Sequence, residues 1–96
     1  MRVRYTPRAF SDLESIRTYI AQFNPQGARR VVALIEKLVM RLAEFPESGH
    51  PAPGLDVRVL HSSRYPYRIY YRTRPGEIFV VHIRHTSRKP PAAPEL

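Results

Sequence analysis

The sequence predicts an α+β domain: an N-terminal strand, an antiparallel helical hairpin, then a three-stranded antiparallel meander, with the helices packed on one face of the sheet. Three observations predict it. Two successive blocks repeat apolar residues every three or four positions, and each opens on a capping residue followed by proline, Thr6-Pro7 and Asn24-Pro25. The C-terminal third alternates in character on either side of Arg74-Pro75-Gly76-Glu77, a turn in which proline presets one backbone angle and glycine takes a positive φ. Between these regions Pro46 to Gly54 carries three prolines and two glycines, which makes it a loop.

Taken in order, Val3 and Tyr5 alternate with Arg2 and Arg4, a short strand that Thr6-Pro7 ends. Phe10, Leu13, Ile16, Ile20 and Phe23 then form the apolar stripe of a helix from about Pro7 to Gln22. Asp12 and Glu14 fall in its early turns, where the helix dipole favours negative charge. The second helix runs to about Phe45 on a stripe of Ala28, Val31, Val32, Ile35, Leu38, Val39, Leu42 and Phe45. So short a connection makes the two helices antiparallel neighbours. Leu55 to His61 resumes alternation, with Val57 and Val59 opposing Arg58 and Leu60, and Ser62 to Pro66 turns into a hairpin.

In the hairpin's first strand Tyr67, Ile69 and Tyr71 face one way and Arg68, Tyr70 and Arg72 the other. Strict alternation through the second strand adds Phe79, Val81 and Ile83 to the apolar side, and Ile78, Val80, His82 and Arg84 to the cationic side. The expected result is a basic, aromatic-studded surface of Arg68, Tyr70, Arg72, His82 and Arg84, with Arg58 and Arg64 close to its loop border. Alternation by itself predicts a solvated polar face. Like charges on neighbouring strands cost stability, however, and an anionic partner relieves that cost. Residues 1–89 are expected to form one domain and residues 90–96 a disordered or extended tail.

Composition sets bounds on function. In 96 residues there is no cysteine, so disulfides, thiol nucleophiles and cysteine-ligated zinc are excluded and a reducing cytoplasm suits the chain. The longest apolar run is Val31 to Ile35, too short for a membrane span. No glycine-rich phosphate loop or metal-spaced cluster occurs, and neither a cofactor nor a metal is expected. The formal charge of +8 and pI near 10.6 favour an anionic partner, a nucleic acid or an acidic protein. Residues 55–96 hold eight Arg and Lys against three acids, residues 1–54 eight against five, so the excess leans towards the sheet.

The element order, the helix opening Tyr5-Thr-Pro-Arg-Ala-Phe-Ser-Asp-Leu-Glu-Ser-Ile-Arg-Thr-Tyr-Ile20, and the strands Arg64 to Arg72 and Ile78 to His85 together resemble the RelE/ParE superfamily of toxins from type II toxin-antitoxin systems. The resemblance covers residues 1 to about 89 and looks closest to the ParE-like branch. That branch implies a poison of DNA gyrase with no established catalytic residues, for which Arg58, Arg64, Arg68, Tyr70, Arg72 and Arg84 are the candidate target-binding residues. The RelE-like branch implies instead a ribosome-dependent endoribonuclease that cleaves mRNA. Arg68 and Arg84 then match phosphate-binding positions, and His82 and His85 are the available acid and base. The usual Tyr or His near the C-terminus is replaced by Thr86-Ser87-Arg88 running into Pro90-Pro91. Either branch implies a cognate antitoxin whose acidic C-terminal segment wraps helices and sheet in a hetero-oligomer. A plain basic nucleic-acid-binding module is a third reading, although no helix-turn-helix or RNA-binding motif accompanies it.

Overall fold

A computed structural model describes residues 1–87 and Pro91. Along the chain come β1 (Arg2–Tyr5), α1 (Pro7–Ala21), α2 (Pro25–Glu44), β2 (His50–Pro51), β3 (Arg58–His61), β4 (Tyr67–Arg74) and β5 (Glu77–His85). The strands form one sheet in the order β1-β5-β4-β3-β2. From β2 to β5 every neighbouring pair is antiparallel, whereas β1 lies parallel to β5. The start of the chain is thereby paired with its last strand, and the helical hairpin that follows β1 lies across the sheet.

The local signals act as predicted. Thr6 Oγ1 accepts the Ala9 N–H at 3.2 Å and Asn24 Oδ1 accepts the Gly27 N–H at 2.9 Å, each satisfying an otherwise orphaned donor of a helix start. Gly76 adopts φ 73° in the β4–β5 turn. The shared core between helices and sheet holds Ala9, Leu13, Val31, Ile35, Val39, Tyr67, Ile69, Val80 and Ile83. Fully burying one of its larger aliphatic side chains contributes roughly 1.5 to 3 kcal/mol.

Three expectations about packing are corrected. Phe10 and Phe23 are 59% and 74% exposed, because the buried face of α1 is centred on Ala9 and Leu13, with Ile16 and Ile20 beside them. Phe10 points about one residue's rotation away from that face, and Phe23 lies beyond the helix end, edge-on to Tyr19. Phe45, likewise, is the C-cap of α2 with non-helical backbone angles and stays outside the core. The segment 46–54 is also not wholly loop, since His50 and Pro51 pair with Val59 and Arg58 as an outermost strand. Such an edge tolerates proline's missing donor.

The third correction has the largest consequence. Between Tyr70 and Tyr71 the β4–β5 ladder shifts register: Tyr70 pairs with His82, and Tyr71 with Val80. The extra residue of this β-bulge resets the alternation. Ile78 and Val80 therefore point into the helix-side core, while Val81 and Phe79 cross to the far face. There Val57, Tyr70 and Val81 form a second apolar cluster, flanked by Ala52, Leu55, Val59 and Phe79. The 52–57 loop lies over this cluster and closes on itself through the Ala52 N–H to Val57 oxygen bond of 3.0 Å.

Of the expected tail, Pro91 is buried, and the rest lies outside the described residues. No helix among the described residues is long and apolar enough to cross a membrane.

Candidate target-binding surface

Arg68 and Arg84 are direct cross-strand partners on β4 and β5, and partners in a ladder share a face. His61 of β3 pairs with Arg68 on its other side, so a transverse row His61, Arg68, Arg84 crosses three strands at the open end of the hairpin. Arg68 Nη1 donates to the Thr86 carbonyl at 3.3 Å, which holds its head towards the end of β5. The cationic face expected from sequence thus exists where its two central residues are concerned.

The other expected members are distributed differently. Tyr70 is on the same face but only 2% exposed, packed in the second cluster and tilted against the His82 ring, so its ring is not offered for stacking. Arg72 shares the face beyond the bulge, where its Nε lies 3.8 Å from Asp56. Arg58 pairs with Tyr71 and therefore lies on the helix side; its Nη1 donates to the Gly49 carbonyl at 2.8 Å and ties down the loop. Arg64 is exposed in the loop before β4, its guanidinium 5.8 Å from the centre of the Tyr65 ring. His85 sits edge-on to Tyr67, and its Nδ1 accepts the Ser87 N–H at 3.0 Å.

His82 is the best-connected member and is 2% exposed. Its Nδ1 is hydrogen-bonded to Asp12 Oδ2, an acceptor, so Nδ1 carries the proton. Nε2 faces Arg84 Nη2 at 3.0 Å and Arg8 Nη2 at 3.4 Å, both donors, and is therefore the bare nitrogen. Asp12 also accepts the backbone N–H of Ile83 at 3.0 Å and Arg8 Nε at 3.2 Å. One carboxylate of α1 thus covers the edge of β5 where β1 has ended. Sequence reasoning placed Asp12 only as a complement to the helix dipole and did not single out Arg8. Their i,i+4 spacing was the one available signal, and nothing local indicated that they reach across to β5.

At the other end of the hairpin a cleft of about 390 Å³ is lined by Met1, Glu47, Arg58, Thr73, Arg74 and Pro75 and does not reach the Arg68–Arg84 pair. Nearby, Tyr71 anchors the 46–49 loop: its hydroxyl donates to the Pro46 carbonyl at 2.8 Å and accepts the Gly49 N–H at 2.9 Å. A Cβ on residue 49 would fall 2.6 Å from that hydroxyl, so the approach requires glycine. Burial pushes the Tyr71 hydroxyl above its ordinary range, against the opposing influence of the Gly49 N–H and Arg58. Burial likewise raises Tyr67, and carries Tyr5 up to about 12 with help from Glu36. Among the described residues no cluster of His, Asp and Glu can hold a metal.

A strand, a helical hairpin and an antiparallel meander with paired arginines facing away from the helices are the arrangement that the resemblance to the RelE/ParE superfamily of toxins implied, and the comparisons with known proteins place the chain in that superfamily. Within it, residues 3–90 match the family described as the ParE toxin of the type II toxin-antitoxin system parDE, and the chain belongs to that family. It is 37% identical over 87 residues to Toxin RelE2 of Caulobacter vibrioides, covering 91% of this chain and 97% of that protein. It is 42% identical over 85 residues to Y4kP of Sinorhizobium fredii, covering 88% of each. A solved chain of the chromosomal ParDE toxin-antitoxin system from P. aeruginosa superposes with a TM-score of 0.78 at 26% identity, over 88% of this chain and 95% of that one.

Proposed function

We propose that this toxin acts in the cytoplasm as a binding inhibitor of DNA gyrase, without catalysis of its own, and is held inactive by a cognate antitoxin. The observation that carries the reading is the state of the histidines beside the arginine pair. An acid or base for RNA cleavage must reach the ribose hydroxyl or the leaving oxygen. His82 is buried with both ring nitrogens engaged, and His85 is turned to the helix side with Nδ1 taken by Ser87. Arg68 and Arg84 by themselves supply charge, which suits recognition of an acidic surface. The family match and the likeness to a ParDE component support the antitoxin partner.

The test is supercoiling and cleavage by purified gyrase with increasing toxin. Inhibition or trapped cleavage complexes, reversed by the antitoxin, are expected; unperturbed supercoiling at large excess would falsify the reading. A second reading, mRNA cleavage on the ribosome, is favoured by the direct opposition of Arg68 and Arg84 and by the likeness to a protein called RelE2. Primer extension on translated transcripts separates the two, because codon-positioned cuts belong only to the nuclease.

A further inference from the structure

We infer that the outer face of α2 is a docking surface for the phosphate backbone of duplex DNA, carried by a row of Arg30, Lys37 and Arg41 with Arg29 on its flank. The inference goes beyond the gyrase reading and does not depend on it, because the row belongs to the helical layer, across the sheet from Arg68 and Arg84.

The helix buries Ala28, Val31, Ile35, Val39 and Leu42, and all four of its cations are exposed. An α-helix turns about 100° and rises about 1.5 Å per residue, so Arg30, Lys37 and Arg41 lie within about 40° of one another around the axis and span about 16 Å. The two helices treat their cations differently. On α1 both arginines meet a carboxylate of the same helix, Arg8 with Asp12 and Arg17 with Glu14. On α2 none of the four cations forms an ion pair among the described residues, although Glu36 and Glu44 belong to the same helix. Met40 stands four residues after Glu36 and four before Glu44, where a cation would have paired with either. Four residues after Lys37 comes Arg41, a like-charge spacing that costs helix stability. Glu36 is directed towards Tyr5 of β1, whose hydroxyl it helps to raise, and Glu44 is the last residue of the helix. Arg41 also complements the negative end of the helix dipole, but Arg30 and Lys37 lie outside both terminal turns. A line of anions supplies the compensation that the helix itself withholds.

The row selects duplex DNA among anionic partners. Each strand of the duplex carries a phosphate every 3.4 Å or so of axis, so a straight row of about 16 Å runs beside about five of them. A single strand is gripped by aromatic rings interleaved with cations, and no residue from Arg29 to Arg41 is aromatic. A protein partner is anchored by large side chains seated in pockets, whereas the exposed apolar residues beside this row are Ala33 and Met40 on a convex helix surface.

The test is fluorescence anisotropy of an end-labelled duplex of about 20 base pairs and arbitrary sequence, titrated with the full-length protein at several salt concentrations. With three phosphates neutralised, log K is expected to fall against log salt with a slope of about −3. The triple substitution Arg30→Gln, Lys37→Gln, Arg41→Gln is expected to weaken binding about tenfold or more at low salt and to flatten the slope by about 2. Its melting temperature should stay at the wild-type value, since all three side chains are exposed. Removing the same charge from other exposed positions, in Arg2→Gln, Arg17→Gln, Arg74→Gln, is expected to leave affinity within about threefold of wild type. The inference is overturned by a slope shallower than about −1, by equal losses in the two triple variants, or by tighter binding of a single strand or of polyglutamate at matched charge. No gyrase enters the assay, so a failure here is distinct from a failure of that reading.

Discussion

The two ends of the β4–β5 hairpin are built from the same kind of residue and differ in what accompanies it. At the turn end four arginines meet surface carboxylates: Arg4 with Glu77 at 3.1 Å, Arg74 and Arg72 with Asp56 at 2.9 and 3.8 Å, Arg58 with Glu47 at 4.0 Å. At the open end Arg68 and Arg84 face each other, and among the described residues Arg8 and His82 both meet the sheltered carboxylate of Asp12. Exposed pairs of the first kind contribute little and are screened by salt. An arrangement of the second kind concentrates positive potential where a partner can meet it. The same residue type along one hairpin therefore does not make equal surfaces, because the acids brought in by other elements differ between its ends.

The comparison breaks most readily through function. Arg68→Glu or Arg84→Glu is expected to reduce inhibition of the target on the order of a hundredfold, as loss of a charged hot spot does. Circular dichroism should show a retained fold; growth inhibition equal to wild type would remove the distinction between the ends. Stability comes next. Asp12→Ala removes the acceptor of the Ile83 N–H, of His82 and of Arg8 and should cost about 2 to 4 kcal/mol in denaturant unfolding. Tyr71→Phe, the corresponding lesion beside the turn end, strands the Pro46 carbonyl and Gly49 N–H and should cost about 1 to 3 kcal/mol.

Alkali gives a smaller effect shared by both ends. Tyr5, Tyr67 and Tyr71 are all raised above the ordinary 10.0, Tyr5 to about 12. Below pH 10 these hydroxyls are neutral in folded and unfolded chains alike, and their contribution is complete. As pH rises from 10.0 towards about 12 the unfolded chain ionises first, so stability falls across that window. Absorbance at alkaline pH should show these tyrosines ionising after the exposed ones, and a single transition at the ordinary value would contradict their burial. The smallest change is Asp56→Ala, which loosens Arg72 and Arg74 for under about 1 kcal/mol and leaves target inhibition unchanged. A marked gain in potency there would mean that the turn end is a muted copy of the open end.

Legibility followed the range of the interactions. Cap-proline pairs located both helix starts, and Gly76 located the turn, since these signals act within four residues. Arg68 and Arg84 were placed together because each lies on the same side of the bulge as its partner. Phe79 and Val81 were misassigned for the same reason, as pure alternation carries no mark of an inserted residue. Tyr70 reads as a surface aromatic until the 52–57 loop is laid over it. Asp12 reads as a dipole complement until α1 is docked on β5.

The amino-acid order alone determined the number and type of the main elements, the orientation of the helical hairpin, the excess of positive charge and the absence of thiol chemistry. Those properties come from local backbone preference, periodicity and composition. Only the tertiary structure decided that β1 closes the sheet parallel to β5, that a bulge turns Val81 outward, and that α1 delivers Arg8 and Asp12 to His82. These depend on which surfaces meet when residues some seventy positions apart come together, and no periodicity along the chain encodes the fit.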